Sequence, residues 1–279
     1  MTAILNQHEN YLQADQAYGF PLLIKNLLSR AKVVSGNKKI HYADKTSYTY
    51  HEFFKRVNRL ANVLKGLNLQ KGDVIAVMDW DTHRYLECYF AIPMCGYILQ
   101  TVNVRLSEDK VLYTINHAKP KALLLNSEFS PMIKSHTQDA PSVEHVIWLD
   151  DNNTPMPPYA QGEYEAMLAQ ASDEYEFEDF DENTIATTFY TSGTTGNPKG
   201  VMLPHSCFTE AMRIHELRLT SITPEDTSIA FLPLSHVFER TWCYFCLFKG
   251  ATIYINQFPT EIQKTIKDVL IVTDGADGL

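Results

Sequence analysis

The sequence lacks any apolar stretch long enough to cross a bilayer. Its strongest apolar runs, such as residues 91–99, are far shorter than the roughly 20 residues that a membrane-spanning helix needs. The amino terminus also lacks the basic segment followed by an apolar core that is typical of a secretory signal peptide. These two absences predict a cytoplasmic protein.

Cysteine is scarce, and its pattern is not that of a disulfide framework. The chain has five cysteines, an odd number scattered through apolar surroundings, which favours a reducing compartment. Two of them have the CxxC spacing of a zinc ligand pair, but no second pair is available to complete such a site. We therefore predict that Cys243 and Cys246 are buried and inert, because cysteine is commonly found in protein interiors.

The sequence also lacks a basic region. Its net charge is −9, and residues 173–182 alone contain seven acidic residues and no basic one. The remainder of the chain has a net charge of −2, which provides no basic face for nucleic acid. A nucleic-acid partner is therefore not expected, and the acidic run is most simply interpreted as a solvated linker.

From Ser47 onward the sequence alternates between helical and strand patterns. Thr49 and Glu52 form the signature of a helix capping box, and Gly66 supplies the helix stop. Repeated βα units predict the α/β class, with a mostly parallel sheet that has helices on both faces. Further apolar patterns predict helices at residues 82–94 and 107–119 and buried strands at residues 74–78, 98–104, 121–125 and 143–149.

An Asn- and Pro-rich stretch at residues 150–158 and the acidic run interrupt this alternation. We therefore predict a first βα subdomain with an amino-terminal extension at residues 1–160, an acidic linker at 161–183, and a second, incomplete subdomain at 184–279. The second subdomain begins with a strand, residues 184–190, that leads directly into a glycine-rich loop.

The loop at residues 190–200 reads Tyr-Thr-Ser-Gly-Thr-Thr-Gly-Asn-Pro-Lys-Gly. Its three glycines allow backbone conformations in which N–H groups converge on an anion. Hydroxyl side chains surround these glycines, and Lys199 is the first Lys or Arg after Lys134. A flexible turn would explain the glycines alone, whereas the added hydroxyls and cation favour a polyphosphate clamp. The spacing is not that of a Walker loop, which disfavours a kinase or GTPase.

The whole loop closely resembles the phosphate-binding signature of the adenylate-forming (ANL) superfamily, which comprises acyl-CoA synthetases, luciferase-like enzymes and the adenylation domains of peptide synthetases. Residues 231–240 resemble the Pro-Leu-x-His segment of the same superfamily. Their His-Val-Phe-Glu-Arg ending is similar to long-chain acyl-CoA synthetases, whereas residues 78–81 and 100–103 are similar to medium-chain fatty acid ligases. The resemblance spans most of residues 40–260 and implies the amino-terminal fold of that superfamily, with parallel βα subdomains.

This resemblance implies an AMP-forming enzyme that activates a medium- or long-chain fatty acid with ATP and transfers it to coenzyme A. It implies ATP, Mg2+ and coenzyme A as cofactors or co-substrates, and we identify no protein ligand for the metal. Lys199 and His236 are the implied catalytic residues. The resemblance also implies that His236 lies by the acyl-binding pocket and the thioester-forming tunnel. Without it, a lone histidine in an apolar turn would be interpreted as structural, so a gating role and a structural role both stay open for His236. The implied nucleotide-binding residues are Thr191, Ser192, Gly193, Thr194, Thr195, Gly196 and Lys199.

The resemblance covers only the amino-terminal half of the superfamily pattern. We find no Tyr-Gly-x-Thr-Glu segment for the magnesium-coordinating glutamate, no Thr-Gly-Asp segment for the ribose and no carboxy-terminal lysine. We therefore expect a truncated chain that is inactive and poorly soluble alone, with a second half that is encoded separately in the case of a split gene. The alternatives are a non-catalytic nucleotide-binding derivative and a ligase for an aryl or small carboxylic acid. Peripheral membrane contact is a further expectation.

Overall fold

The computed structural model describes residues 20–133, 136–191 and 196–274. None of the helices in these ranges is long and apolar enough to cross a membrane. The helices are α1 (Ile24–Val34), α2 (Tyr50–Lys65), α3 (His83–Met94), α4 (Glu108–Ala118), α5 (His136–Asp139), α6 (Tyr164–Gln170), α7 (His205–Arg218), α8 (Val237–Lys249) and α9 (Ile262–Asp274). The strands are β1 (Lys39–Tyr42), β2 (Thr46–Thr49), β3 (Val74–Met78), β4 (Ile98–Thr101), β5 (Ala122–Asn126), β6 (His145–Leu149), β7 (Gly162–Glu163), β8 (Ile185–Thr191), β9 (Lys199–Pro204), β10 (Thr227–Ala230) and β11 (Thr252–Ile255).

The larger sheet has seven strands in the order β7-β6-β5-β3-β4-β8-β9. All neighbouring strands are parallel except β9, which pairs antiparallel with β8. The predicted α/β class with a mostly parallel sheet is therefore confirmed. Strand β4 ends at Thr101, earlier than predicted, because the chain turns at residues 103–106, where the Leu106 N–H bonds to the Asn103 carbonyl at 3.2 Å.

Apolar side chains cover both faces of the larger sheet. Ile75 and Val77 of β3 belong to the cluster that also contains residues of α2 and α3, whereas Ala76 and Met78 belong to the cluster that contains residues of α4. Successive strand residues point to opposite faces, so a fully apolar strand packs against helices on each side. The continuous apolar run at residues 74–78 is explained by this burial.

The first long helix begins as the sequence predicts. The Thr49 hydroxyl accepts the Glu52 N–H at 3.2 Å, and the Glu52 carboxylate accepts the Thr49 N–H at 2.6 Å. This reciprocal pair satisfies two N–H groups that the helix itself leaves free. The predicted capping box is confirmed.

The smaller sheet has four strands in the order β10-β11-β1-β2. Strand β1 pairs parallel with β11, so that Ile40 lies opposite Ile253. Both sheets thus contain strands from before and after the acidic run. The division of the chain into subdomains stays a prediction.

The acidic run at residues 173–182 has no regular secondary structure. Asp179 forms an ion pair with Lys25 of α1 at 2.8 Å, and Asp173 forms one with Lys55 of α2 at 3.0 Å. Partly exposed pairs of this kind stabilise a fold by only about 0 to 1 kcal/mol each. The predicted linker therefore has contacts of its own with helices α1 and α2.

The CxxC cysteines are part of the core. Cys243 and Cys246 are each 1% exposed, and both are free thiols. Burial raises the pKa of both thiols, that of Cys246 to about 12. The predicted burial of the pair is confirmed. Since only the thiolate is nucleophilic, the raised pKa values are consistent with the predicted inertness, which stays a prediction.

Candidate active site

The glycine-rich loop connects the two strands of a hairpin at the margin of the larger sheet. Strand β8 leads into the loop and β9 leads out of it, with Thr191 opposite Lys199 and Tyr190 opposite Gly200. This pairing holds the two ends of the loop one strand spacing apart, about 5 Å. Four of the predicted nucleotide-binding residues lie outside the described residues, namely Ser192, Gly193, Thr194 and Thr195.

The remaining loop residues support the phosphate-binding prediction in two ways. Gly196 has a φ of +98°, and a Cβ atom there would meet nothing within 4 Å, so glycine is needed for its backbone conformation and not for space. Thr191 and Lys199 are exposed at the mouth of the loop. An exposed hydroxyl and ammonium beside a left-handed glycine are suitable for contact with phosphate oxygens.

Tyr190 connects the base of the hairpin to helix α4. Its hydroxyl forms a hydrogen bond with Nδ1 of His117, near the end of α4, at 2.8 Å. Its ring lies so close to Gly200 that a Cβ there would approach it to 3.4 Å. Burial raises the pKa of Tyr190 to about 12, so the phenol keeps its proton at neutral pH.

His236 is the N-cap residue of α8. Its Nδ1 accepts a hydrogen bond from the Phe238 backbone N–H at 3.2 Å. Because a backbone N–H can only donate, Nδ1 carries a lone pair, and the neutral imidazole carries its proton on Nε2. The His236 side chain is exposed, so this Nε2–H is a hydrogen-bond donor available to a ligand.

A cleft of about 330 Å3 lies between the hairpin and the turn that carries His236. Residues from the carboxyl end of β4 and the start of α4 form one wall, and β8, Gly196 and residues 233–237 form the others. Thr191, Gly196 and His236 therefore meet at one cleft, whereas Lys199 is not among its lining residues. Ligands in open α/β sheets bind outside the carboxyl ends of the strands, and this volume is within the range of small-molecule sites.

Asn103 and Lys110 are two of the cleft residues that were not among the predicted site residues. Asn103 and Lys110 line the cleft beside the loop, and Lys110 adds a cation near the first turn of α4. Their position at or soon after the carboxyl end of the strand predicted at residues 98–104 was a usable signal. Within the ranges that the structure describes, no group of three or more His, Cys, Asp or Glu side chains could hold a metal ion.

A buried carboxyl group lies behind the turn that carries His236. Glu239 is 2% exposed, and its Oε2 accepts the Leu232 N–H at 3.2 Å. Burial raises the pKa of Glu239 to about 7, although the Leu232 N–H opposes this shift. Its protonation therefore changes near neutral pH, unlike that of an ordinary glutamate.

Comparison with known proteins identifies the class to which this fold and cleft belong. The model of the AMP-binding enzyme family matches residues 29–270. Because this match covers most of the chain, the protein belongs to the AMP-binding enzyme family.

Two relatives of this chain are acyl-CoA ligases, the class that the sequence motifs predict. The chain is 31% identical over 241 residues to a medium-chain fatty acid–CoA ligase of Ectopseudomonas oleovorans, a match that covers 84% of this chain and 44% of the relative. It is 30% identical over 227 residues to a long-chain fatty acid–CoA ligase of Thermus thermophilus, covering 78% and 40% respectively. The two relatives differ in the acid that they are named for, so family membership does not determine the acid.

The fold agrees with that of a solved structure of the same kind. An anthranilate–CoA ligase in complex with anthranoyl-AMP aligns with a TM-score of 0.80 and 22% identity, over 88% of this chain and 48% of that chain. This likeness confirms the predicted fold. The chain spans less than half the length of each of these proteins.

Proposed function

We propose that this chain forms the ATP-phosphate site of a ligase that joins a medium- or long-chain fatty acid to coenzyme A. The observation that carries the proposal is the meeting of the phosphate-loop residues Thr191 and Gly196 with His236 at one cleft. The family match and the names of the two relatives support the same class of reaction. The medium- or long-chain preference rests on the sequence motifs and on those names.

In the first half-reaction a carboxylate oxygen of the acid attacks the α-phosphorus of ATP, and the bond between that phosphorus and pyrophosphate breaks. Negative charge on the phosphates and on the leaving group has to be neutralised. In this proposal Lys199 and the loop N–H groups hold the β- and γ-phosphates, and the Nε2–H of His236 donates to an oxygen of the acid or of the α-phosphate. Mg2+ carried by the nucleotide would supply further neutralisation of phosphate charge.

In the second half-reaction the thiol of coenzyme A attacks the acyl carbonyl carbon, AMP leaves, and the thiol proton is released. The described residues include no group that we assign to thiol activation. We expect the groups that complete turnover to lie on a second half of the enzyme, whether continuous with this chain or encoded separately.

The nucleotide site is tested by titrating the chain with ATP and Mg2+ and following the heat of binding. Lys199→Ala removes a charged hydrogen-bond donor worth about 1.5 to 3 kcal/mol, so we expect the Kd to rise roughly 10- to 150-fold. Lys264→Ala is the control, because Lys264 is 64% exposed and pairs with Asp44 on another surface. Equal affinities of a folded Lys199→Ala variant and the parent chain would contradict the clamp.

The ligase reaction is tested by acid-dependent exchange of pyrophosphate into ATP. We expect no exchange by the isolated chain and measurable exchange by a fusion with the remaining half of the Ectopseudomonas relative. Exchange by the isolated chain would show that the groups present suffice. A fusion that binds ATP but does not exchange would favour the non-catalytic nucleotide-binding alternative.

The acid is identified by giving the same fusion octanoate, palmitate, benzoate and acetate. We expect kcat/KM to be largest for one of the two fatty acids, because an extended apolar chain gains binding free energy with each buried methylene, about 0.8 kcal/mol. A preference for benzoate or acetate would support the ligase for an aryl or small acid instead.

A further inference from the structure

The backbone of the turn at residues 232–236, here called the His236 turn, is held by side chains from distant parts of the chain. The Leu234 N–H donates to Oδ1 of Asp81 at 2.7 Å, and the Leu234 carbonyl accepts the Tyr89 hydroxyl. The Ser235 carbonyl accepts the Thr101 hydroxyl at 3.0 Å. The turn is thus attached to elements β4 and α3 and to the β3–α3 connection, which lie more than 100 residues earlier.

Asp81 differs from the other attachments because it joins three segments and carries charge. Its second carboxylate oxygen accepts a hydrogen bond from Arg105 at 2.7 Å, and the Arg105 guanidinium lies 5.7 Å from the centre of the Trp80 ring. Asp81 is 2% exposed, and a buried carboxylate is stable only when both oxygens are hydrogen-bonded. The β3–α3 connection, the segment after β4 and the His236 turn are therefore held at one point.

The His236 turn leads directly into the N-cap of α8, which is His236 itself. Leu234 lies two residues before His236, whose Nδ1 must stay within reach of the Phe238 N–H to cap α8. If the Leu234 N–H loses its acceptor, the turn can move and the cap bond weakens. An imidazole that is no longer held by the cap can carry its proton on either nitrogen.

We propose that Asp81 is a positioning residue for His236, which fixes the His236 turn so that the imidazole presents Nε2–H to the cleft. This inference deepens the proposed function, because it concerns the support of a side chain that function uses. Asp81 itself does not line the cleft, so it acts through His236.

The neighbouring Asp79 provides a matched control in the same connection. It is also 2% exposed and fully hydrogen-bonded. Its hydrogen bonds come from Trp80, Thr82, Arg84 and Asn126. None of these partners belongs to the His236 turn. A change in His236 that followed merely from altering a buried carboxylate would therefore appear in variants of both aspartates.

The test compares Asp81→Asn with Asp79→Asn in the full chain by long-range 1H–15N NMR of 15N-labelled histidine, recorded without nucleotide. Leu234 and Arg105 donate to different oxygens of Asp81, and in a carboxamide the nitrogen that takes the place of one oxygen can only donate, so one of the two donors loses its partner. We therefore expect His236 to change from a single Nε2–H tautomer in the parent chain to a mixture of tautomers in Asp81→Asn. Asp79→Asn should lower the stability of the fold and leave the His236 signals unchanged.

Unchanged His236 signals in a folded Asp81→Asn variant, or equal changes in the two variants, would overturn the proposal. Thr101→Val is a second variant in case Asp81→Asn does not fold, since it removes the adjacent attachment at Ser235 and should shift the same signals. Because no nucleotide is present, this result is separate from the ATP titration. Failure of wild-type ATP binding would contradict the proposed function alone.

Discussion

The centre and the margin of the larger sheet are built differently. At the centre, β5 and β3 are buried along almost their whole length. At the margin, β9 has no fully buried residue, and Met202 in it is 64% exposed. The stable core and the ligand-facing hairpin are therefore separate parts of one sheet. The cleft lies where the two parts meet, beside β4 and β8.

The margin also exposes apolar side chains that the centre does not. Ile214, Leu217, Phe231 and Phe238 are between 44% and 66% exposed, and two of them flank the His236 turn. Exposed apolar groups close to a binding cleft commonly mark contact surfaces. The expected poor solubility of the isolated chain stays a prediction, and these side chains are its physical basis.

The largest expected effect is the loss of unfolding free energy when a core side chain is truncated, as in Leu124→Ala. Leu124 of β5 is fully buried, and truncation of a buried leucine typically lowers the free energy of unfolding by about 2 to 5 kcal/mol. Met202→Ala at the margin should change it by less than about 0.5 kcal/mol. Urea unfolding of both variants measures the difference, and equal losses would show that the margin is as tightly packed as the centre.

A second comparison uses two glutamates whose pKa values shift in opposite directions, the buried Glu239 and the partly exposed Glu165. Burial raises the pKa of Glu239 to about 7 from 4.5, so its stabilising contribution is present below pH 4.5 and is lost as the pH rises through 7. The shift corresponds to about 3 kcal/mol at 1.4 kcal/mol per pKa unit. We expect Glu239→Gln to gain about that much stability relative to the parent chain between these two pH values.

Glu165 should behave in the opposite sense. Burial raises its pKa, but hydrogen bonds from His83 and Arg56 outweigh burial and lower the pKa to about 2. Its contribution is therefore present above pH 4.5 and is lost as the pH falls towards 2. Thermal unfolding of Glu165→Gln and Glu239→Gln across this pH range measures both slopes. Slopes of the same sign would show that the partners of Glu165 do not decide its ionisation.

Alanine variants of two glycines should have smaller effects on stability, and only one of them should also weaken ATP binding. Gly72 before β3 and Gly196 in the loop have φ values of +88° and +98°, and a Cβ would meet nothing at either position. Each alanine variant should lose about 1 to 2 kcal/mol of stability from backbone strain. Only Gly196→Ala should weaken ATP binding, as measured by titration. Equal effects on ATP binding would exclude a specific role for the loop.

The smallest expected effect concerns helix capping. Helix α2 at the centre has a complete capping box, whereas α7 after the hairpin has no side-chain cap. Thr49→Ala should lower the free energy of unfolding by about 1 kcal/mol, and Thr46→Ala on the exposed end of β2 should have little effect. Urea unfolding measures both. A negligible loss for Thr49→Ala would mean that tertiary packing alone holds the start of α2.

Sequence periodicity predicted the centre well because its signals are local. A capping box, a helix stop and short apolar runs each act within a few residues, and α2, β3 and α3 lie close to the predicted positions. Periodicity did not predict the smaller sheet. Its strands β1 and β11 are short and separated by about 200 residues, and nothing in either segment specifies its partner.

In the candidate site too, features marked by local sequence were predicted and features that depend on distant residues were not. The loop and the segment that contains His236 were recognisable as contiguous motifs. Asn103 lies in a segment, residues 100–103, that indicates the family without marking a ligand contact, and Lys110 lies in no motif. The support of His236 by Asp81 depends on a hydrogen bond between residues that lie 153 positions apart. No local pattern carries that information.

Residues that are neighbours along the chain were enough to indicate the family and the alternation of strands and helices, and they also predict the phosphate loop. The tertiary structure alone decided which strands pair, that the loop and His236 share a cleft, and which buried carboxylate holds the His236 turn. These outcomes depend on burial and strand pairing between distant segments, which are established only when the chain is folded.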